Sequence, residues 1–311
     1  MLRLRSMIKK NTYRYLILNV ILNVFCYGQQ DSQYTQYLYN TSQINPAYAG
    51  SRETISAFLL HRNQWLGLDG APKTNNFSLS SPLRNSNFGL GLSFTNDHIG
   101  PTSENEIAFD VSYFIPIAEN YKLAVGIKTT ANLFHLDVNK LTIYDPTDPQ
   151  FQAISTEFSP NIGAGLYLSS EKNYIGISIP NFFETYRYND NTITIAKEKM
   201  HFYLIAGHVF QMNQNLQFKP AILTKVVEGA PLQTDLTANF LFFETLTLGA
   251  AYRWNSALSG LVGFQISDSW FIGYGYDRET TRLQRYNSGS HELFLRFEVL
   301  KKTKITAPRF F

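Results

Sequence analysis

Residues two apart repeat the same chemistry along most of this chain. Phe88, Leu90, Leu92 and Phe94 are interleaved with Gly89, Gly91, Ser93 and Thr95. Trp270, Ile272, Tyr274 and Tyr276 are interleaved with Phe271, Gly273, Gly275 and Asp277. A period of two puts one set on each face of a strand. Segments of about ten residues, when tilted, are long enough to cross a bilayer as β-structure. An open sheet edge in lipid would leave N–H and C=O groups unpaired, so such a chain closes into a barrel.

The pattern predicts fourteen strands, near 53–62, 74–82, 87–96, 105–115, 121–134, 160–169, 173–180, 200–211, 216–226, 234–242, 246–255, 259–267, 269–277 and 290–300. Connectors after even strands are tight: Leu83–Ser86, Pro116–Asn120, Ser170–Lys172, Met212–Asn215, Phe243–Thr245 and Asp268. Those after several odd strands are long: Asn63–Lys73, Leu136–Ser159, Asn181–Lys199 and Arg278–Gly289. Outer-membrane barrels have short periplasmic turns and longer outer loops, and an even strand count then puts both termini in the periplasm. The faces agree. Ile107, Phe109, Val111 and Tyr113 read as lipid-facing, with Asp110 and Ser112 inward. Leu123, Val125 and Ile127 face lipid, with Lys122 and Lys128 inward; Leu293, Leu295, Phe297 and Val299 face lipid, with Glu292, Arg296 and Glu298 inward. Strand one is mixed on both faces. Tyr252, Trp254, Trp270 and Tyr276 sit near strand ends, where an aromatic girdle belongs. A soluble β-sandwich also alternates, but it explains neither the leader nor the parity of the connectors.

Composition supports a membrane wall. Aromatic residues make up 15% and charged residues only 16%, low for a soluble domain. After the leader, no run of 18 apolar residues exists, which excludes a helical membrane protein. Arg3, Arg5, Lys9, Lys10 and Arg14, followed by the mostly apolar Tyr15–Phe25, read as a secretory signal over residues 1–28. Cys26 raises a lipoprotein alternative, which Asn23 and Phe25 fit poorly. Of 27 Lys and Arg against 24 Asp and Glu, five basic residues and no acid lie in 1–28, leaving 22 against 24. The excess of positive charge belongs to the leader, so nucleic acid is not an expected partner. Cys26 is the sole cysteine, which rules out an internal disulfide and a cysteine zinc site. The organisation is then 1–28 signal peptide, 29–50 an N-terminal segment, 51–300 barrel and 301–311 a periplasmic tail.

No constellation of a catalyst or a cofactor site emerges. Gly89-Leu90-Gly91 and Gly163-Ala164-Gly165 lie inside strands, not before helices, so they read as close-approach positions and not phosphate loops. The histidines His61, His98, His135, His201, His208 and His291 show no metal-ligand spacing. Asp145-Pro146-Thr147-Asp148-Pro149 lacks the glycine and distal glutamate of an EF-hand and reads as a rigid turn. Barrel hydrolases join Ser, His and a third polar group, and no local pattern here does so. The chain is expected not to be an enzyme and to carry no cofactor or metal. Gln29–Gly50 does not alternate; it is polar and aromatic, with Tyr34, Tyr37, Tyr39 and Tyr48. A barrel of about 14 strands is wide enough to need filling, so this segment is expected to fold into the lumen and narrow it.

Several stretches resemble the PorP/SprF family of Bacteroidota. Asp31-Ser32-Gln33-Tyr34-Thr35-Gln36-Tyr37-Leu38-Tyr39-Asn40 is similar to the start of mature members, and Asn45-Pro46-Ala47-Tyr48-Ala49-Gly50 is the most specific element. Arg62-Asn63-Gln64-Trp65, Gly70-Ala71-Pro72-Lys73-Thr74 and Asn96-Asp97-His98-Ile99-Gly100-Pro101 follow. Tyr174 to Asn181 and the tail Ala307-Pro308-Arg309-Phe310-Phe311 complete the match. Ser32, Tyr34 and Thr35 stand where many members have Pro, Phe and Ser. The resemblance implies an outer-membrane barrel of the type IX secretion system. Members hold or help deliver large cell-surface proteins, including gliding adhesins, through those proteins' C-terminal regions; others belong to the secretion machinery and its periplasmic ring. Its partners would be such a secreted protein, secretion components in the outer membrane and periplasm, and outer-membrane lipid.

Anchoring needs adaptable loops on a rigid wall. Leu136–Ser159 and Asn181–Lys199 offer Tyr144, Phe151, Phe158, Phe182, Phe183, Tyr186 and Tyr188 as candidate aromatic anchors. The same rings could simply pack the loops together. Lys301, Lys302, Lys304 and Arg309 form a basic tail that could touch a periplasmic partner or only be solvated. The alternative function is a passive diffusion porin, favoured if Lys128, Lys219, Lys225, Arg253 and Arg296 line an open lumen.

Overall fold

The computed structural model describes residues 37–141, 156–187 and 196–299, with side chains omitted at 185–187 and 196–198. The strands are β1 Ser56–Asn63, β2 Lys73–Pro82, β3 Phe88–Ile99, β4 Thr102–Ala118, β5 Tyr121–Leu136, β6 Glu157–Ser169 and β7 Asn173–Ile179. Then come β8 Thr185–Arg187, β9 Ala196–Glu198, β10 His201–His208, β11 Phe210–Asn213, β12 Leu216–Val227 and β13 Gln233–Phe242. The last four are β14 Leu246–Arg253, β15 Ala257–Gln265, β16 Trp270–Glu279 and β17 Ser290–Glu298.

Every wall pairing is antiparallel, and the sheet closes on itself. β1 pairs with β17, and β10 pairs with both β7 and β12. Fourteen strands form the closed ring, with β11 continuing β10 along β12. The β10–β11 break has a local cause. The β10 and β11 registers on β12 put His208 opposite Pro220, which has no N–H to give the ladder. Val209 N instead donates to Lys172 O at 2.8 Å. The sequence pattern shows 200–211 as one uninterrupted strand, and it shows the 181–199 connector without the β8–β9 hairpin that lies there. Elsewhere no strand end differs from the reading by more than three residues.

Outward and inward faces separate cleanly. Ile107, Ile127 and Leu293 are 51%, 56% and 51% exposed, while their neighbours Ala108, Lys128 and Glu292 are buried. Following the register around the ring, the outward strand positions carry no Asp, Glu, Lys or Arg except Lys73 and Arg278, both at the long-loop end. A charge on that face at mid-depth costs about 2–4 kcal/mol in lipid, which explains the pattern. At the tight-turn end a belt of rings stacks on the outer surface: Phe210, Phe218 and Phe240 in sequence, and Trp270 against Phe297. Tyr252 packs edge-on against Trp254 at the other end. Trp270 at one end and Tyr252 and Trp254 at the other are the ring types enriched at a membrane interface. Lys122, on the inward face, is half-exposed at the tight-turn rim and pairs with Glu53.

Candidate functional site: the filled lumen and the outer rim

Residues 37–50 run inside the barrel, and 51–55 lead from the tight-turn rim into β1. Two short 3-10 turns, Thr41–Gln43 and Pro46–Tyr48, let the segment bend around the inner wall. Asn45 starts the second turn: its Oδ1 accepts from Ala47 N at 3.0 Å, and Pro46 fits the first position because no N–H is needed there. Asn45 Nδ2 donates to Leu166 O on β6 at 3.0 Å.

One side of the segment is polar. Asn40 Nδ2 donates to Asn76 Oδ1 at 2.8 Å, and Ser78 Oγ donates to Asn40 Oδ1 at 3.0 Å. Asn76 Nδ2 reaches Gln43 Oε1 at 2.9 Å, and Gln43 Nε2 reaches Thr95 at 3.2 Å. Lys128 Nζ donates to the carbonyls of Ser42 and Gln43, both at 3.1 Å, with Asp110 3.6 Å away. Ser178, Ser112 and Ser80 hold Ile44 O, Ala49 O and Gly50 N at 2.7, 2.6 and 2.7 Å. The other side is aromatic. Tyr39 stands 4.6 Å from Phe294 and 5.5 Å from Phe271, and Phe294 lies 5.7 Å from Phe58. Tyr37 faces Thr237, Asp235 and Arg253. Burial pushes the Tyr37 and Tyr39 hydroxyls well above the usual phenol range, so both stay neutral.

Backbone contact at this distance requires missing side chains on the wall. A β-carbon on Gly126 would land on Pro46 and Ala47, one on Gly165 on Asn45, and one on Gly89 on the Ala49 carbonyl. Gly89 and Gly165 are therefore the close-approach positions expected of them; Gly126 carries the same signal and escaped the reading.

At the long-loop end, three motif stretches meet. Trp65, in a left-handed backbone conformation (φ 51°), donates through its indole to Glu279 Oε1 at 3.0 Å, and its N–H reaches Ser290 Oγ at 3.1 Å. Leu66 and the Ser288–Gly289 backbone exchange hydrogen bonds of 2.8 Å. Gln64 N donates to Pro72 O at 2.9 Å, Gly100 N to Gly70 O at 2.9 Å, and Asp137 N to Pro101 O at 2.9 Å. Thr74 Oγ1 donates to Asp97 Oδ1 at 2.6 Å. The β1–β2, β3–β4 and β16–β17 loops are thus tied into one rim. Below it, Arg62 bridges Asp277 at 2.7 Å and also Glu292, all three buried, a cluster that the mixed pattern of strand one concealed.

The named candidates therefore divide. Asn45, Pro46, Ala47, Ala49 and Gly50 are buried against the inner wall, with Tyr48 stacked edge-on over Tyr167 at 5.4 Å. Their contacts are with this wall, so they do not form an outward partner surface. Trp65, Pro72, Asp97, Gly100 and Pro101 form the outer rim. Phe182 donates its N–H to Ile162 O at 2.8 Å, and Phe183 is gripped through its backbone by Asn161 at 2.7 and 2.9 Å while the residue stays 58% exposed. Tyr144, Phe151, Tyr188 and the tail 301–311 lie outside the described residues, as does the side chain of Tyr186. Lys128, Lys219, Lys225, Arg253 and Arg296 are all buried. The sites therefore do not line an open channel in this conformation.

A family described as type IX secretion system membrane protein PorP/SprF matches residues 27–297. The chain belongs to the PorP/SprF family. It is an outer-membrane β-barrel associated with type IX secretion. Among curated proteins none matches this PorP/SprF chain. Solved barrels are similar at low identity. The CymD monoaromatic hydrocarbon channel is 12% identical, covering 85% of this chain and 94% of its own, with a TM-score of 0.49. The Ralstonia pickettii toluene transporter TbuX is 11% identical over 83% and 92%, at 0.47. The NanC porin is 11% identical over 79% and 100%, at 0.42.

Proposed function

We propose that this PorP/SprF barrel is a partner-binding accessory of type IX secretion that holds or helps deliver a large cell-surface protein through that protein's C-terminal region. It works with secretion components in the outer membrane and periplasm and carries out no reaction of its own. The tight-turn end and both termini lie in the periplasm, and the long-loop end faces outward. The observation that carries the reading is the filled lumen: residues 37–50 are fastened to β2, β5 and β7 by side-chain hydrogen bonds and to β16 and β17 by ring contacts. A rigid, filled cylinder suits display of loops on a fixed rim better than free passage of solutes.

Two measurements test this. Tagged protein purified in mild detergent, after crosslinking from the outer loops, is expected to bring down one large secreted protein through its C-terminal region. In a planar bilayer the intact barrel is expected to conduct poorly, and deletion of residues 29–48 is expected to raise conductance. Rapid solute flux in liposome swelling, with no secreted protein recovered, would replace this reading with a diffusion porin.

A further inference from the structure

Beside the break in β10, the lipid-facing side of the wall carries a groove. Ile175, Ala206, Ile222 and Leu236 form one outward row across β7, β10, β12 and β13. Three of these side chains are branched and bulky, whereas Ala206 contributes only a methyl group, so the row is notched at β10. Gly207 lies beside the notch, and on the lumen side the Tyr174 ring covers it: a β-carbon there would meet the Tyr174 hydroxyl. One row nearer the tight turns, His208 stands opposite Pro220. The groove has a volume of about 700 Å³ and a mainly apolar lining. That is within the span of about 300–1,000 Å³ over which ligand clefts fall.

The end of the groove toward the tight turns is polar. Tyr121, Asn173 and His208 line it there, from β5, β7 and β10. Asn173 Nδ2 donates to the Tyr121 hydroxyl oxygen at 3.2 Å, and Asn173 Oδ1 accepts from His208 Nδ1. Each bond leaves its partner with a complementary group to offer. Tyr121 keeps its own O–H to donate, and the neutral His208 ring keeps Nε2 as an acceptor. Glu171 and Lys172, both exposed, stand in the turn that leads into Asn173. A donor with a cation near it, and an acceptor with an anion near it, thus adjoin an apolar trough. A phosphate and an ammonium joined to an acyl chain carry the matching groups. The trough opens on the face that already meets acyl chains, so lipid is the partner at hand.

We propose that this groove holds one phospholipid with a zwitterionic headgroup. Its phosphate meets the Tyr121 O–H and Lys172, its ammonium meets His208 Nε2 and Glu171, and one acyl chain lies along Ile175, Ala206 and Ile222. The inference rests on the barrel crossing lipid, and on neither the partner nor the filled lumen of the reading above. In the test, the full-length barrel is stripped of lipid in detergent and titrated with phosphatidylethanolamine or phosphatidylglycerol, and native mass spectrometry counts the bound lipids. One phosphatidylethanolamine per barrel is expected to bind saturably. Its affinity is expected to exceed that of phosphatidylglycerol at least about fivefold, since the latter brings no ammonium to His208 and Glu171. Ala206→Phe fills the notch from an outward position and is expected to weaken binding at least about tenfold, because the ring displaces buried methylenes of the chain. Tyr121→Phe keeps the ring, removes the O–H and is expected to weaken binding about three- to tenfold. Ala250→Phe, outward on β14 and away from the groove, is expected to change it less than about twofold. If A206F does not assemble, Y121F carries the comparison. No saturable binding, equal affinity for the two lipids, or unchanged affinity in the variant that folds overturns the site. So does a dimer that forms without lipid and that A206F breaks, which would put a second copy of the barrel in the groove.

Discussion

The inner segment meets two different walls. Toward β2–β7 it is held by amides, hydroxyls and the Lys128 ammonium; toward β1, β16 and β17 it is held by the rings of Tyr39, Phe58, Phe271 and Phe294. The polar wall is directional, and each bond fixes where the backbone of residues 40–50 lies. The aromatic wall supplies buried area and shape without fixing a register. The difference is that one side places the segment and the other gives it an apolar core inside a cylinder whose main apolar surface faces lipid. The two sides should therefore fail in different ways.

The largest effect is expected where the polar wall allows no side chain at all. Gly126→Val puts its branches into the Pro46–Ala47 backbone, which has no room to retreat while Ser112 and Ser178 hold it. The segment is expected to leave the lumen, and single-barrel conductance to rise from near closed to the level of a 29–48 deletion. Unchanged conductance in a folded G126V barrel would show that the segment is not what fills the pore.

Next comes the charge. Lys128→Met removes two hydrogen bonds to the segment and leaves Asp110 buried without its cation, a loss of about 3–5 kcal/mol. Adding Asp110→Asn should recover more than half of it, because the cost is mostly the stranded carboxylate. Urea unfolding from lipid vesicles reads both. Equal stability of the single and double variants would argue that Lys128 acts only through its carbonyl bonds. On the aromatic side, Phe294→Ala opens a cavity between Tyr39, Phe58 and Phe271, at about 3 kcal/mol. No second polar change should rescue it, and a loss that Asp110→Asn reverses would erase the distinction between the walls.

The two walls also explain what the sequence made legible. Strand positions and lipid-facing sets such as Ile107, Phe109, Val125 and Leu293 could be read because lipid penalises every exception to the alternation. Strand one was unreadable because its inward residues Phe58 and Leu60 are apolar for another reason: they pack within the core built around Tyr39. No local pattern announces that core, since its partners come from residues 37–39 and from strands more than 200 positions away. The rim was half legible. Trp65, Pro72 and Gly100 stood out as motif residues, yet only the fold shows Trp65 bonded to Glu279 and Gly100 to Gly70. The break at Val209 could have been anticipated from Pro220, but only with the register known.

The smallest effect separates direction from area. Ser178 Oγ donates to the Ile44 carbonyl from a wall position where a methyl group fits. Ser178→Ala removes one neutral bond and is expected to cost about 1 kcal/mol. The same size of loss is expected at Ser112→Ala, which frees the Ala49 carbonyl. The two carbonyls lie in different turns of one segment, so if the polar wall places that segment as a unit the double variant should lose more than the sum. Losses that simply add, as for independent sites, would mean that each bond fastens only its own turn and that the aromatic wall alone keeps residues 37–50 together. Equilibrium unfolding of the two single variants and the pair, in one lipid composition, decides between these.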